Sequence, residues 1–94
     1  MDQELKERPE FETDEIIVAA WLSMNMREMP RFDWEGEHCY FVFDDGPELR
    51  ELVKEYEVGN TVASVKEYHM TMTNVRNNMF ASRPGTRTRS RARA

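Results

Sequence analysis

The residues of this chain whose type and spacing point most directly to chemistry are the arginines near its C-terminus, Arg83, Arg87, Arg89, Arg91 and Arg93. A guanidinium is a planar fork of donors that grips phosphate or carboxylate with two hydrogen bonds. In an extended segment alternate residues project from one side about 6.6 Å apart, at roughly 3.3 Å per residue, a spacing that can meet successive phosphates. No acid follows Glu67, and residues 1–82 hold eight basic against eighteen acidic residues. A domain of formal charge −10 thus precedes a tail of +5. Nucleic acid is the expected ligand of the five arginines. The competing readings are an acidic protein surface, the chain's own included, and a solvated end without a partner. Interleaved Thr, Ser and Ala provide neither an aromatic platform nor a base-reading helix, so binding is expected to be non-specific.

Other reactive residue types are present without a reactive arrangement. His38 and Cys39 are neighbours, and on a strand neighbours face opposite sides, so they cannot hold one metal ion together. Asp44 and Asp45 stand just before a helix, where acids ordinarily serve as caps and dipole partners. Gly36, Gly46, Gly59 and Gly85 are scattered singly at turns, which excludes a glycine-rich phosphate loop. No catalysis, cofactor or metal is expected. Glu48, Glu51, Glu55 and Glu57 sit on a helix whose other face is apolar. Such a face is ordinarily solvated; the sharper reading is an acidic partner-binding surface that mimics a nucleic-acid backbone. Seven methionines either fill an irregular small core or form an adaptable contact surface.

The elements that must position these residues are legible from periodicity. Residues 1–10 are charged and read as a polar lead-in. Thr13 is placed to cap a helix with Asp14 and Glu15 in its first turn, and Ile16, Ile17, Ala20, Trp21 and Met24 recur at helical spacing. Asn25 reads as the stop. Phe32 and Trp34 alternate with Arg31 and Asp33, a Glu35-Gly36 turn follows, and an aromatic-rich strand puts Cys39, Phe41 and Phe43 on one face, opposite His38, Tyr40 and Val42. Pro30 suits an edge. Pro47 opens a second helix through Leu49, Leu52, Val53 and Tyr56. Ser64 and Glu67 form a capping box for a third, with Val65, Tyr68, Met72, Val75 and Met79 as its stripe.

The expected architecture is α+β: an α-β-β-α-α domain over residues 11–82, an antiparallel hairpin packed by helices, with a flexible basic tail over 83–94. Two strands alone are marginal in water, so either residues 57–63 add a third strand or a partner subunit completes the sheet. With 39% apolar content, a chain this short sits near the lower limit for a self-sufficient core, and homo-oligomerisation is an option. A single cysteine excludes an internal disulfide and suits a reducing interior. The acidic, polar N-terminal residues do not read as a secretory signal, and the longest near-apolar run, residues 16–24, is less than half a membrane span. A soluble protein of the host cytoplasm, or a virion component, is expected, with no membrane partner.

The order of motifs resembles an uncharacterised family of short bacterial and phage proteins, a domain of unknown function. The resemblance rests on Phe11, Thr13 and Asp14 leading into Ala19, Ala20 and Leu22, on Phe41–Phe43, and on Leu49, Leu52, Tyr56, Val62, Val65 and Tyr68. It covers roughly residues 11–80. It implies a phage or mobile-element origin and brings no activity with it. The expected function is that of a non-enzymatic accessory protein whose acidic domain docks a protein partner while its tail contacts nucleic acid. The alternative is a structural or assembly protein whose tail inserts into an acidic surface of a neighbouring subunit.

Overall fold

A computed structural model of the chain describes residues 9–84. Arg87, Arg89, Arg91 and Arg93 lie outside the described residues. The elements run β1 (Glu10–Thr13), α1 (Ile16–Met26), β2 (Arg31–Glu35), β3 (His38–Asp44), α2 (Pro47–Glu57) and α3 (Val65–Ala81). The fold is α+β, as the periodicity implied, with one strand more than the hairpin.

That third strand comes from residues 10–13, not from residues 57–63, which leave α2 and reach α3 without strand structure. The sheet order is β1-β3-β2, antiparallel throughout, with β3 in the centre. Phe11 opposes Phe43 and Thr13 opposes Phe41 on one side; Phe32 opposes Phe41 and Trp34 opposes Cys39 on the other. The hairpin closes through Gly36 and Glu37, one residue later than the expected Glu35-Gly36 turn because Glu35 still pairs with His38, and Gly36 has the positive φ of 67° that the first residue of a tight hairpin loop needs. The lead-in therefore ends one residue earlier than composition indicates. Glu10 already pairs with Asp44, and the Asp45 N–H donates to the Pro9 carbonyl at 3.2 Å.

Pairing of residues 10–13 also moves the start of α1. Thr13 is still extended, so its Oγ1 accepts from the Glu15 N–H at 3.2 Å in the connecting turn, and Glu15 occupies the N-cap position without a side-chain cap bond. Asp14 and Glu15 thus precede the helix that they were expected to open. At the other end α1 continues past Asn25, whose Nδ2 donates to the Trp21 carbonyl at 2.8 Å, and stops when Arg27 turns left-handed at φ 56°.

The core forms where α1 crosses the inner face of the sheet. Val18 to Ser23 are all buried, because a helix that is apolar all round must be covered on every side. The sheet covers one side through Phe41 and Phe43, α2 another through Leu49, and α3 a third through Val75. Phe32 meets Phe41 edge-on, with ring centroids 5.9 Å apart. Trp21 turns its indole N–H to the Leu52 carbonyl at 3.0 Å, tying α1 to α2, and the Tyr68 hydroxyl donates to the Ile17 carbonyl at 2.6 Å, tying α3 to α1. On the outer face of the sheet Arg31 reaches Glu10 at 3.0 Å and Asp44 at 3.3 Å, joining all three strands.

Two positions expected in apolar stripes are left outside. Ile17 is 46% exposed and Val65 85% exposed. The Ser64 cap on the Glu67 N–H holds at 3.2 Å, as the capping box predicts, yet α3 packs inward only from Tyr68 onward.

Candidate functional site

The hairpin and the end of α3 are fastened together beside the start of the arginine tail. Arg76, Met79, Phe80 and Arg83 follow the spacing i, i+3, i+4, i+7, which places them along one side of the helix and just beyond it. Across from them stands Trp34 of β2. Its Nε1–H donates to Ser82 Oγ at 3.1 Å, and that hydroxyl donates in turn to the Met79 carbonyl at 2.8 Å. The Arg83 guanidinium lies over the Trp34 ring, 5.5 Å from its centroid. The first arginine of the tail thus has a defined seat on the domain.

Between these elements lies an open cleft of about 350 Å³, lined by Trp34, Phe80, Arg76, Arg83, His38 and Glu37 among others. Cys39 and Phe41, both buried, contribute from the hairpin side. Asp14, displaced from α1 by the pairing of β1, enters from the opposite edge and meets His38 Nε2 at 3.1 Å. A carboxylate only accepts, so this imidazole nitrogen carries the hydrogen. Burial, and then the charge of Asp33, push the Cys39 thiol above its ordinary pKa. The thiol stays protonated at neutral pH and is a poor nucleophile.

The acidic residues before α2 are engaged with one another's neighbours. Asp45 accepts from Arg50 through Nε at 2.8 Å and a terminal nitrogen at 2.7 Å, and from the Gly46 N–H at 2.8 Å. The Arg50 hydrogen bonds first, and the Gly46 N–H after them, hold its carboxyl below the usual range. Arg50 also stands over the Phe11 ring at 5.5 Å. Among the described residues no group of three or more His, Cys, Asp or Glu side chains is placed to hold a metal ion, and no helix is long and apolar enough to cross a membrane.

Glu48, Glu51, Glu55 and Glu57 do not form a single surface. At about 100° per residue the first three fall in one sector of α2, whereas Glu57 falls on the opposite flank. Glu57 lies instead with Glu15 beside a depression that includes Phe11, Val53 and Tyr56. Tyr56 also borders a neighbouring and more apolar groove of about 290 Å³, formed with Ile17, Trp21, Ala63, Val65 and Tyr68. Val62, 86% exposed, belongs to the same connection between α2 and α3. Of the methionines, Met24, Met26 and Met79 pack on the core, while Met29 and Met70 are exposed.

With this geometry in place the relationship to known sequences is direct: the family model described as Domain of unknown function (DUF5659) matches residues 8–81. The chain belongs to the DUF5659 family. No curated protein and no solved structure matches it. The DUF5659 match takes in β1 to α3 and stops before Ser82, so the cleft is built mainly from family positions while Arg83 and the tail arginines lie beyond them. Neither Trp34 nor Phe80 and Arg76 were singled out by sequence reasoning as functional residues. The helical spacing of Arg76, Phe80 and Arg83 was visible in the sequence, but their meeting with Trp34, 48 residues from Ser82, was not.

Proposed function

We propose that this DUF5659 chain is a non-enzymatic accessory protein of the cell interior that joins a protein partner to nucleic acid. The domain docks the partner, and Arg83, Arg87, Arg89, Arg91 and Arg93 contact phosphates. The observation that carries this reading is the seat of Arg83: the chain's one basic segment begins where Trp34 and Ser82 anchor it to an acidic domain. The anchored root sets the position from which the arginines act, and the charge of the domain keeps nucleic acid away from the rest of the surface.

The partner surface is the apolar groove at Ile17, Tyr56, Val65 and Tyr68. Its continuation past Tyr56 is bordered by Glu15 and Glu57, and neither acid has an ion-pair partner among the described residues. An apolar surface bordered by unpaired carboxylates suits a partner segment that carries apolar and basic residues together. The reactive residue types are committed elsewhere: the Cys39 thiol is buried and protonated, Asp45 is held by Arg50, and Asp44 by Arg31. This supports a binding role over a catalytic one.

The test compares the intact protein with a variant in which Arg87, Arg89, Arg91 and Arg93 are changed to alanine, using fluorescence anisotropy with labelled DNA at low salt. Binding by the intact protein that the variant loses is the expected result. Equal binding by both overturns the nucleic-acid role and leaves assembly through an acidic protein surface as the function of the tail.

A further inference from the structure

We propose that the cleft at the root of the tail is a stacking site for a base of single-stranded nucleic acid, and that it makes the protein prefer single strands to duplex. This rests on the reading of the tail as a phosphate-binding segment, and adds to it what arginines spaced by Thr, Ser and Ala lack.

Three observations carry it. Phe80 keeps 53% of its surface exposed although it stands at the end of a helix whose neighbour Met79 packs on the core. A large ring held half in water beside a second aromatic, Trp34, is a platform on which a nucleobase gains more than a solvated side chain loses. Among the described residues neither Arg76 nor Arg83 has a carboxylate partner, Arg83 lying over an indole face, whereas Arg31 and Arg50 are both paired with acids; Arg27 is likewise without a carboxylate partner among the described residues but borders a different depression. In a domain with so large an excess of carboxylates, two unpaired guanidiniums converging on one cleft are left for an anion supplied from outside. The cleft volume of about 350 Å³ falls in the range of small-ligand pockets, about 300–1,000 Å³.

The acids of the cleft fix which part of the nucleotide goes where. Asp14 is already bound to His38, and Glu37 stands at the hairpin turn. Both repel phosphate, while a carboxylate accepts readily from the amino groups of bases. The phosphate therefore lies on the Arg76 and Arg83 side and the base turns inward against Phe80, the ring left exposed, while Arg83 covers the Trp34 indole. A duplex hides the faces of its bases inside the stack, so only a single strand, or an end, can offer one.

The experiment uses the full chain, a short fluorescein-labelled oligonucleotide of mixed sequence, and the same oligonucleotide annealed to its complement. The intact protein is expected to bind the single strand about tenfold more tightly than the duplex, the change that one stacking contact produces. Phe80→Ala, which alters no charge and truncates an exposed ring, is expected to remove that preference and leave duplex binding as it was. Phe80→Trp is expected to keep it, with circular dichroism confirming that both variants are folded. Equal affinity for the two forms, or a preference that survives Phe80→Ala, overturns the stacking site while binding that depends on the tail arginines leaves the reading of the tail intact. Binding that does not change when the tail arginines are replaced overturns the reading of the tail instead.

Discussion

The indole of Trp34 is held at 3.1 Å to Ser82 Oγ, a contact between the second strand and the residue that follows the last helix. It decides where the basic segment leaves the domain. Ser82→Ala should free the indole N–H, so the Trp34 indole resonance should shift and exchange faster with water while that of Trp21 stays protected. Because the contact is exposed, the loss of stability in urea denaturation should be about 1 kcal/mol or less.

Trp21 makes the analogous bond in the interior, to the Leu52 carbonyl. With only 4% of its surface exposed, Trp21→Ala removes a core ring and should cost on the order of 3–5 kcal/mol. Trp21→Phe retains most of the apolar surface and loses the donor, so it should cost about 1–2 kcal/mol. The difference between the two midpoints of denaturation separates packing from hydrogen bonding.

Tyr68 is half-buried, so its truncation should cost less than that of Trp21. Tyr68→Phe removes the hydroxyl that donates to the Ile17 carbonyl and should destabilise by about 1 kcal/mol. Burial, with a smaller contribution from Tyr56, raises the phenol above its ordinary pKa. A raised value means that the folded state favours the protonated form. The contribution is complete below about pH 10 and disappears as pH rises through the folded value. A thermal melt series above pH 9 should therefore fall more steeply for the intact protein than for Tyr68→Phe.

The Asp45 and Arg50 pair acts at the other end of the scale. Its depressed carboxyl pKa stabilises the fold above the ordinary carboxylate value of about 4, and the effect is lost as pH falls through the folded value. Asp45→Asn should lower the melting temperature at pH 7 and leave it closer to that of the intact protein in strong acid. Parallel curves across the whole acid range would assign the acid sensitivity to other groups.

Binding to duplex DNA should weaken with salt in proportion to the phosphates neutralised. If all five arginines engage, the slope of log K against log salt should be about −4.5, at about 0.9 per phosphate, so that a fourfold rise in salt weakens binding roughly 500-fold. Each Arg→Ala change in the tail should make the slope shallower by about 0.9. An isolated tail peptide should bind more tightly than the intact protein at low salt, because the acidic domain repels the same polyanion, and rising salt should narrow the gap.

Local order was written into the sequence by itself. The Ser64 cap on the Glu67 N–H, the proline that opens α2, a tight turn that uses Gly36 and the buried face of Cys39, Phe41 and Phe43 all follow from short-range rules, and the structure contains each of them. The separation of an acidic domain from a basic tail is likewise a property of composition alone. Tertiary structure decided what depends on residues distant in the chain. Residues 10–13 are too few and too polar to announce a strand, and become one only because β3 has a free edge beside Phe41 and Phe43. That pairing pulls Asp14 and Glu15 out of the helix they were suited to begin and brings Asp14 to His38. Helical spacing treats Val65 and Val75 as equivalent, yet α1 covers α3 only along part of its length, so one is exposed and the other buried. The cleft that Trp34 and Phe80 line has the same origin: each residue was visible where it stands, and only the packing of α3 against the hairpin brought both to one cleft.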